Sequence, residues 1–218
     1  MNVKKILLVV ILLNVFFLAG SVNAQNSIGV RAGGNIGFMA PTFETYYTER
    51  LGYSVGVTGH IELIPNLFYI PEINYTRRGY LFFTPSFLDD NLSGTDLILG
   101  LNYLDIPFNF GYGATLINEG ASDMFFLAYG GFQLNLLQGQ RNRYREREAL
   151  SGAPEGDPPA YDAVRTTDMG GNLGFSVGYS QFLFDLRFFF GVIPLFEPKR
   201  EGDTMNSVTL SAAYRFIW

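Results

Sequence analysis

The chain has 218 residues, no cysteine, one histidine and a formal charge of −5; 48% of it is hydrophobic, with 21 Phe, 13 Tyr and 25 Gly. Zero Cys removes disulfides, thiolate metal sites and cysteine nucleophiles together, and a single His removes histidine clusters. The acidic balance, with no basic face, excludes nucleic-acid binding.

Met1 to Ala24 combines Lys4 and Lys5, an apolar run from Ile6 to Ala19 broken once by Asn14, and the small-x-small site Val22-Asn23-Ala24. This pattern predicts a secretory signal peptide cut before Gln25, and no lipobox cysteine follows it. Without Lys4 and Lys5 the mature chain, residues 25–218, carries about −7 over about 190 residues, the size of one domain. Beyond the leader no charge-free run reaches the 18 residues of a helical span. Leu97 to Ile117 comes nearest, but Asn102, Asp105, Pro107 and Asn109 interrupt it.

The mature chain instead alternates at period two in eight segments. Ser27 to Met39 sets Ile28, Val30, Ala32, Ile36 and Phe38 against Arg31 and Asn35. After a polar loop from Ala40 to Glu49, Leu51 to Leu63 sets Leu51, Tyr53, Val55, Val57, Ile61 and Leu63 against Ser54, Thr58, His60 and Glu62. Ile64-Pro65-Asn66 reads as a tight turn. Leu67 to Tyr80 follows, with Glu72, Asn74, Thr76 and Arg78 on its polar face; Pro71 within it predicts a bulge or an irregular ladder. Leu81 to Ser93 is a second loop.

The fourth segment, Asp96 to Tyr112, directs Ile98, Leu104, Ile106, Phe108, Phe110 and Tyr112 away from Tyr103, Asp105 and Asn109, and Gly113 to Asp123 connects it to the fifth. Met124 to Gln138 opposes Phe126, Ala128, Phe132, Leu134 and Leu136 to Tyr129, Gln133 and Asn135. Residues 139–167 form the longest polar insertion, rich in Arg, Pro and Gly, and are expected as a mobile extracellular loop. Asp168 to Phe182 and Phe184 to Pro194 are segments six and seven, and Glu197 to Asn206 is the last loop. Ser207 to Trp218 sets Val208, Leu210, Ala212, Tyr214, Phe216 and Trp218 against Ser207, Thr209, Ser211, Ala213 and Arg215.

The same alternation fits a lipocalin-like soluble barrel turned inside out. The polar face decides between them. Gly170, Asn172, Gly174, Ser176, Gly178 and Ser180 are small and uncharged, whereas a water-exposed barrel surface carries many charges. An eight-stranded lumen wants small polar side chains, and lipid wants the other register. The fold class expected is therefore all-β: an eight-stranded antiparallel transmembrane β-barrel of the outer-membrane type. Long connectors follow segments one, three, five and seven, and tight turns follow two and six, which places the former outside the cell and the latter in the periplasm. The connector after segment four is the exception.

Pro71-Glu72-Ile73-Asn74-Tyr75 with Arg77-Arg78-Gly79, and Leu101-Asn102-Tyr103-Leu104-Asp105-Ile106-Pro107-Phe108, resemble the PorT-like outer-membrane β-barrel proteins of Bacteroidetes. The Gly-x-Arg-x-Gly-Gly-x-Asn pattern of Gly29 to Asn35 and the terminal Tyr214-Arg215-Phe216 fit that resemblance, which covers essentially the whole mature chain. It implies an eight-stranded barrel, in a family some of whose members are linked to the type IX secretion machinery.

Parity places Arg31, Glu62, Glu72, Asp105, Arg187 and Arg215 on inward faces. Charges in a narrow lumen should pair, so a salt-bridged plug is expected, with Glu72 and Asp105 accepting from arginines; its rival is a narrow conducting pore lined by the same residues. Arg141, Arg143, Arg145 and Arg147 alternate, so an extended fifth strand would present them on one side to lipopolysaccharide phosphates or an acidic partner. The plainer reading is a solvated loop offset by Glu146, Glu148, Glu155 and Asp157. His60 would have to serve any Ser-His-Asp arrangement, but it falls toward the periplasmic side and reads as a lumenal polar residue.

Dinucleotide, P-loop and EF-hand patterns are missing, and no cofactor or catalytic residue is expected. A non-enzymatic structural or accessory barrel is the first reading, in contact with outer-membrane lipid and with a possible protein partner through its loops or periplasmic rim. A small porin is the main alternative and an outer-leaflet enzyme the third. Oligomeric state is left open.

Overall fold

The computed structural model describes residues 26–39, 47–83, 95–116, 124–146, 164–195 and 204–217. They form eight strands: β1 (Ser27–Met39), β2 (Tyr47–Ile64), β3 (Leu67–Phe83), β4 (Thr95–Leu116), β5 (Met124–Glu146), β6 (Thr167–Tyr179), β7 (Phe182–Pro194) and β8 (Thr204–Ile217). Each pairs antiparallel with its sequence neighbours, and β1 pairs with β8, which closes the barrel. Closure leaves no strand edge with unpaired backbone groups, the condition for crossing lipid with strands.

The outer wall is apolar because every second residue of these segments is. Ile28, Val30, Val55, Val57, Ile73, Phe132, Leu173, Phe184 and Leu210 are exposed on it. Ile61, Tyr69, Ile106 and Phe108 also face outward but bury one another in a cluster on the wall. Tyr112, Tyr179, Phe182 and Phe216, all exposed, ring the end that carries the short turns, as interfacial aromatics do in membrane barrels.

Several boundaries differ from the sequence reading. β4 continues through Gly113 to Leu116, so the connector predicted from Gly113 to Asp123 begins later; the Gly113 amide donates to the Asn66 carbonyl at 2.9 Å, tying β4 to the β2–β3 turn. β5 continues to Glu146, taking residues 139–146 out of the expected loop 139–167. β6 ends at Tyr179, and Ser180, with φ 55°, occupies the turn rather than the lumen. In β4 and β5 ladder pairing, a long-range term, overrides the local sequence that ended the expected segments early.

No register shift occurs at Pro71; instead the β2–β3 pairing is interrupted between Thr58↔Glu72 and Ile61↔Tyr69, so the missing proline N–H falls in a gap. Bulges lie elsewhere, one between Arg50 and Tyr53. Gly52 permits it: a Cβ there would stand 1.9 Å from the Arg77 carbonyl oxygen. The signal peptide and the loop centres lie outside the described residues.

The interior is layered, with apolar clusters above and below the polar lumen expected from the sequence. At the short-turn end Phe68, Ile70, Phe125, Leu127, Leu183 and Ala213 pack together with Tyr129. At the long-loop end Tyr80, Leu99, Leu101, Tyr103, Phe189 and Met205 do the same, roofed by Val164 and Leu195. The Arg165 amide donates to the Leu195 carbonyl at 2.9 Å and the Leu137 amide to the Thr166 carbonyl at 2.8 Å, pinning this roof. Leu99 and Leu101 share the parity of Tyr103 and Asp105, so strand alternation alone already turns them inward.

Candidate functional site

Between the two apolar layers lies an ion-paired layer. Arg31 on β1 donates through Nη1 to Glu72 Oε2 at 2.5 Å and through Nη2 to Asp185 Oδ1 at 2.7 Å and Ser211 Oγ at 2.5 Å. Arg187 on β7 meets Glu72 in a fork: Nη2 donates to Oε1 at 2.6 Å and Nη1 to Oε2 at 2.9 Å. Asn74 adds a bond to Glu72 at 2.9 Å. Tyr129 Oη accepts from Arg187 Nε at 2.9 Å and donates to Asp185 Oδ2 at 2.6 Å, and Ser176 Oγ donates to the same oxygen at 2.8 Å. The bidentate fork is the strong geometry for guanidinium and carboxylate. Two arginines thus face two carboxylates, all buried.

Gly174 makes room for this layer, since a Cβ there would stand 2.2 Å from Tyr129 Cζ. A second pair lies nearer the long-loop end. Arg78 Nη2 donates to Asp105 Oδ2 at 2.6 Å, and its guanidinium lies over the rings of Phe189 at 5.3 Å and Tyr103 at 5.5 Å. An amide chain fills the β4–β6 wall: Asn172 donates to Asn109 and Gln133, Gln133 to Asn135, and Asn135 to Asp168 at 2.9 Å.

Of the inward residues expected from sequence, Arg31, Glu72 and Arg187 come together, and Asp105 binds Arg78 instead. Arg215 points to the short-turn end, donating to the Ser180 carbonyl at 3.0 Å with Phe125 beneath it at 5.3 Å. Glu62 is half-buried at the β2–β3 hairpin, where its carboxylate accepts the Asn66 amide at 2.9 Å. Asp185, Tyr129 and Ser211 were missed as network members. Parity pointed at all three, but which of the inward groups meet depends on barrel closure and strand stagger.

His60 is 3% exposed. With Arg31, Glu72 and Asp185 it lines a cavity of about 10 Å³, enough for about one water and too small for a substrate. Among the described residues no group of three His, Asp or Glu is placed to hold a metal. Of the alternating arginines, Arg141, Arg143 and Arg145 lie in β5, with backbone partners Gly100, Ile98 and Asp96; Arg147 lies outside the described residues.

The sequence pattern of the outer membrane protein beta-barrel domain family matches residues 23–197. The chain belongs to that family. Its place is therefore the outer membrane of a Gram-negative cell, with its apolar wall in contact with lipid. Among solved structures, Neisserial surface protein A is similar at 14% identity over 88% of this chain and 97% of that one, with a TM-score of 0.40. Ail, the attachment invasion locus protein of Yersinia pestis, is similar at 14% identity over 89% of this chain and 100% of that one, TM-score 0.38. The N-terminal barrel domain of Pseudomonas aeruginosa OprF follows at 10% identity over 89% and 100%, TM-score 0.35. No curated protein matches the chain.

Proposed function

We propose that this outer-membrane barrel is a non-enzymatic structural or accessory protein whose lumen is closed to solutes. The observation that carries this reading is the interlocked layer of Arg31, Glu72, Asp185 and Arg187, stacked between apolar layers that cross the bore at both ends. Eight strands leave an interior that side chains fill, and a solute would have to break buried charge pairs to pass. The buried His60, with no room beside it for a substrate, supports the non-enzymatic part.

Planar-bilayer recording on the refolded barrel tests the closed lumen. No steady conductance steps are expected; a stable open channel would overturn the reading in favour of a small porin. The finer reading, an accessory role beside protein-export machinery, is supported by the resemblance of the β3 and β4 motifs to PorT-like barrels. It predicts that, after mild-detergent extraction of native outer membranes, the chain migrates in a large assembly on native electrophoresis. Migration as a lone heat-modifiable barrel would remove the accessory role and leave a stand-alone structural protein.

A further inference from the structure

One cluster of charge lies outside the lumen. Below Arg77, toward the short turns, no charged side chain stands on the outer wall among the described residues. At and just above that level three arginines gather, on β2, β3 and β5, with β4 between the last two. Arg50 on β2 pairs with Gly79 on β3, Gly79 with Gly100 on β4, and Gly100 with Arg141 on β5. The two glycines make a floor without side chains between flanking arginines. The Arg50 stem runs beside Gly79, 3.2 Å from where a Cβ would stand, and the Arg77 guanidinium lies over Gly100, Nη2 being 3.6 Å from its Cβ position. Arg50 and Arg141 are exposed and Arg77 half-buried. Glu49, next to Arg50, pairs with the inward-facing Tyr80, so strand alternation sends it to the opposite face.

The height of this cluster matters. Asn102, the outward partner of Arg77, lies ten residues along β4 from Tyr112 in the aromatic ring. At about 3.3 Å per residue and a strand tilt of about 40°, that is roughly 25 Å of membrane normal, the height of the apolar band of such barrels. The arginines therefore sit where the outer leaflet passes from hydrocarbon to headgroup. Arg50 and Arg141 are three strand spacings, about 14 Å, apart, with the Arg77 guanidinium between them.

We propose that Arg50, Arg77 and Arg141 form a site on the outer wall for the phosphates of an anionic outer-leaflet glycolipid, held in the cradle floored by Gly79 and Gly100. Guanidinium groups suit phosphate oxygens because their planar forks donate two parallel bonds. At the edge of a low-dielectric band those bonds are less screened than in bulk water. The inference rests on the outer-membrane reading and on the long-loop end facing outward, but not on the closed lumen, which bilayer conductance reports separately.

The test uses the refolded mature chain in phosphatidylcholine vesicles with or without lipopolysaccharide, reading the midpoint of heat modification on gels. Lipopolysaccharide should raise the wild-type midpoint by about 5 °C through preferential binding to the folded barrel. The triple variant Arg50→Gln/Arg77→Gln/Arg141→Gln should keep less than roughly a third of that rise while matching the wild type in lipopolysaccharide-free vesicles. Dephosphorylated lipopolysaccharide, and inorganic phosphate added to lipopolysaccharide-free vesicles, should give no rise. No wild-type rise, a full rise in the triple variant, or an equal rise with the dephosphorylated lipid would each overturn the site, and an equal rise with inorganic phosphate would overturn the lipid assignment. Arg141→Gln, a single exposed change, carries the same comparison if the triple variant does not refold, and an undiminished rise in it would count against the site.

Discussion

Glu72→Ala is expected to lower the unfolding free energy of the barrel by about 3–5 kcal/mol, the cost of removing one partner from a buried ion pair. The size follows from what is left behind. Glu72 accepts both forks of Arg187 and one bond from Arg31, so its loss leaves two buried guanidiniums facing Asp185 alone. Arg187 would be the more exposed to this imbalance, since its remaining carboxylate contact is 3.7 Å from Asp185. Denaturant unfolding in detergent or lipid measures the loss; delivery to the outer membrane should be unchanged, because the lipid-facing wall is untouched. The Glu72→Ala/Arg187→Ala pair should cost less than the sum of the two single changes, since Arg31 and Asp185 remain matched. An unchanged midpoint for Glu72→Ala would mean that the network does not hold the lumen.

The second large effect is expected at Asp105, with a different rescue. Asp105→Leu alone strands Arg78, buried at 2% exposure, and should cost about 3–5 kcal/mol. Arg78→Met/Asp105→Leu should recover most of that loss. Here the surroundings favour an apolar exchange: Arg78 lies over Tyr103 and Phe189, which belong to the apolar layer at the long-loop end. Replacing both partners of a buried pair by packed apolar groups is often neutral or stabilising. Chemical unfolding of the single and double variants makes the comparison; a double variant as unstable as Asp105→Leu would show that the pair is itself needed for the fold. The Glu72 layer offers no such exchange, because its members share partners across β1, β3, β5 and β7.

Much of this could be read directly from the chain because a strand has a period of two and a barrel has two faces. The apolar register of Ile28, Val55, Ile73, Phe132, Leu173 and Leu210 is the outer wall, and Arg31, Glu72, Asp105 and Arg187 are inward residues on parity alone. Strand ends were less legible. Arg141 lies in a polar stretch that looks like loop, yet β4 supplies it with a ladder partner at Gly100; local polarity carries no information about a partner strand in another segment.

What the sequence determined by itself was the class: eight alternating segments with one lipid-compatible face, and hence a transmembrane barrel. Which inward groups meet was decided only by the closed structure. Arg31 touches Glu72, Asp185 and Ser211, from strands 41, 154 and 180 residues away in the chain, because closure and stagger set which side chains share a level in the bore. The same holds outside, where Arg50, Arg77 and Arg141 stand in three separate segments of the sequence and are brought to one patch through the register of four strands. Periodicity assigns a residue to a face, but only strand register assigns it a height, and both the plug and the arginine cradle depend on height.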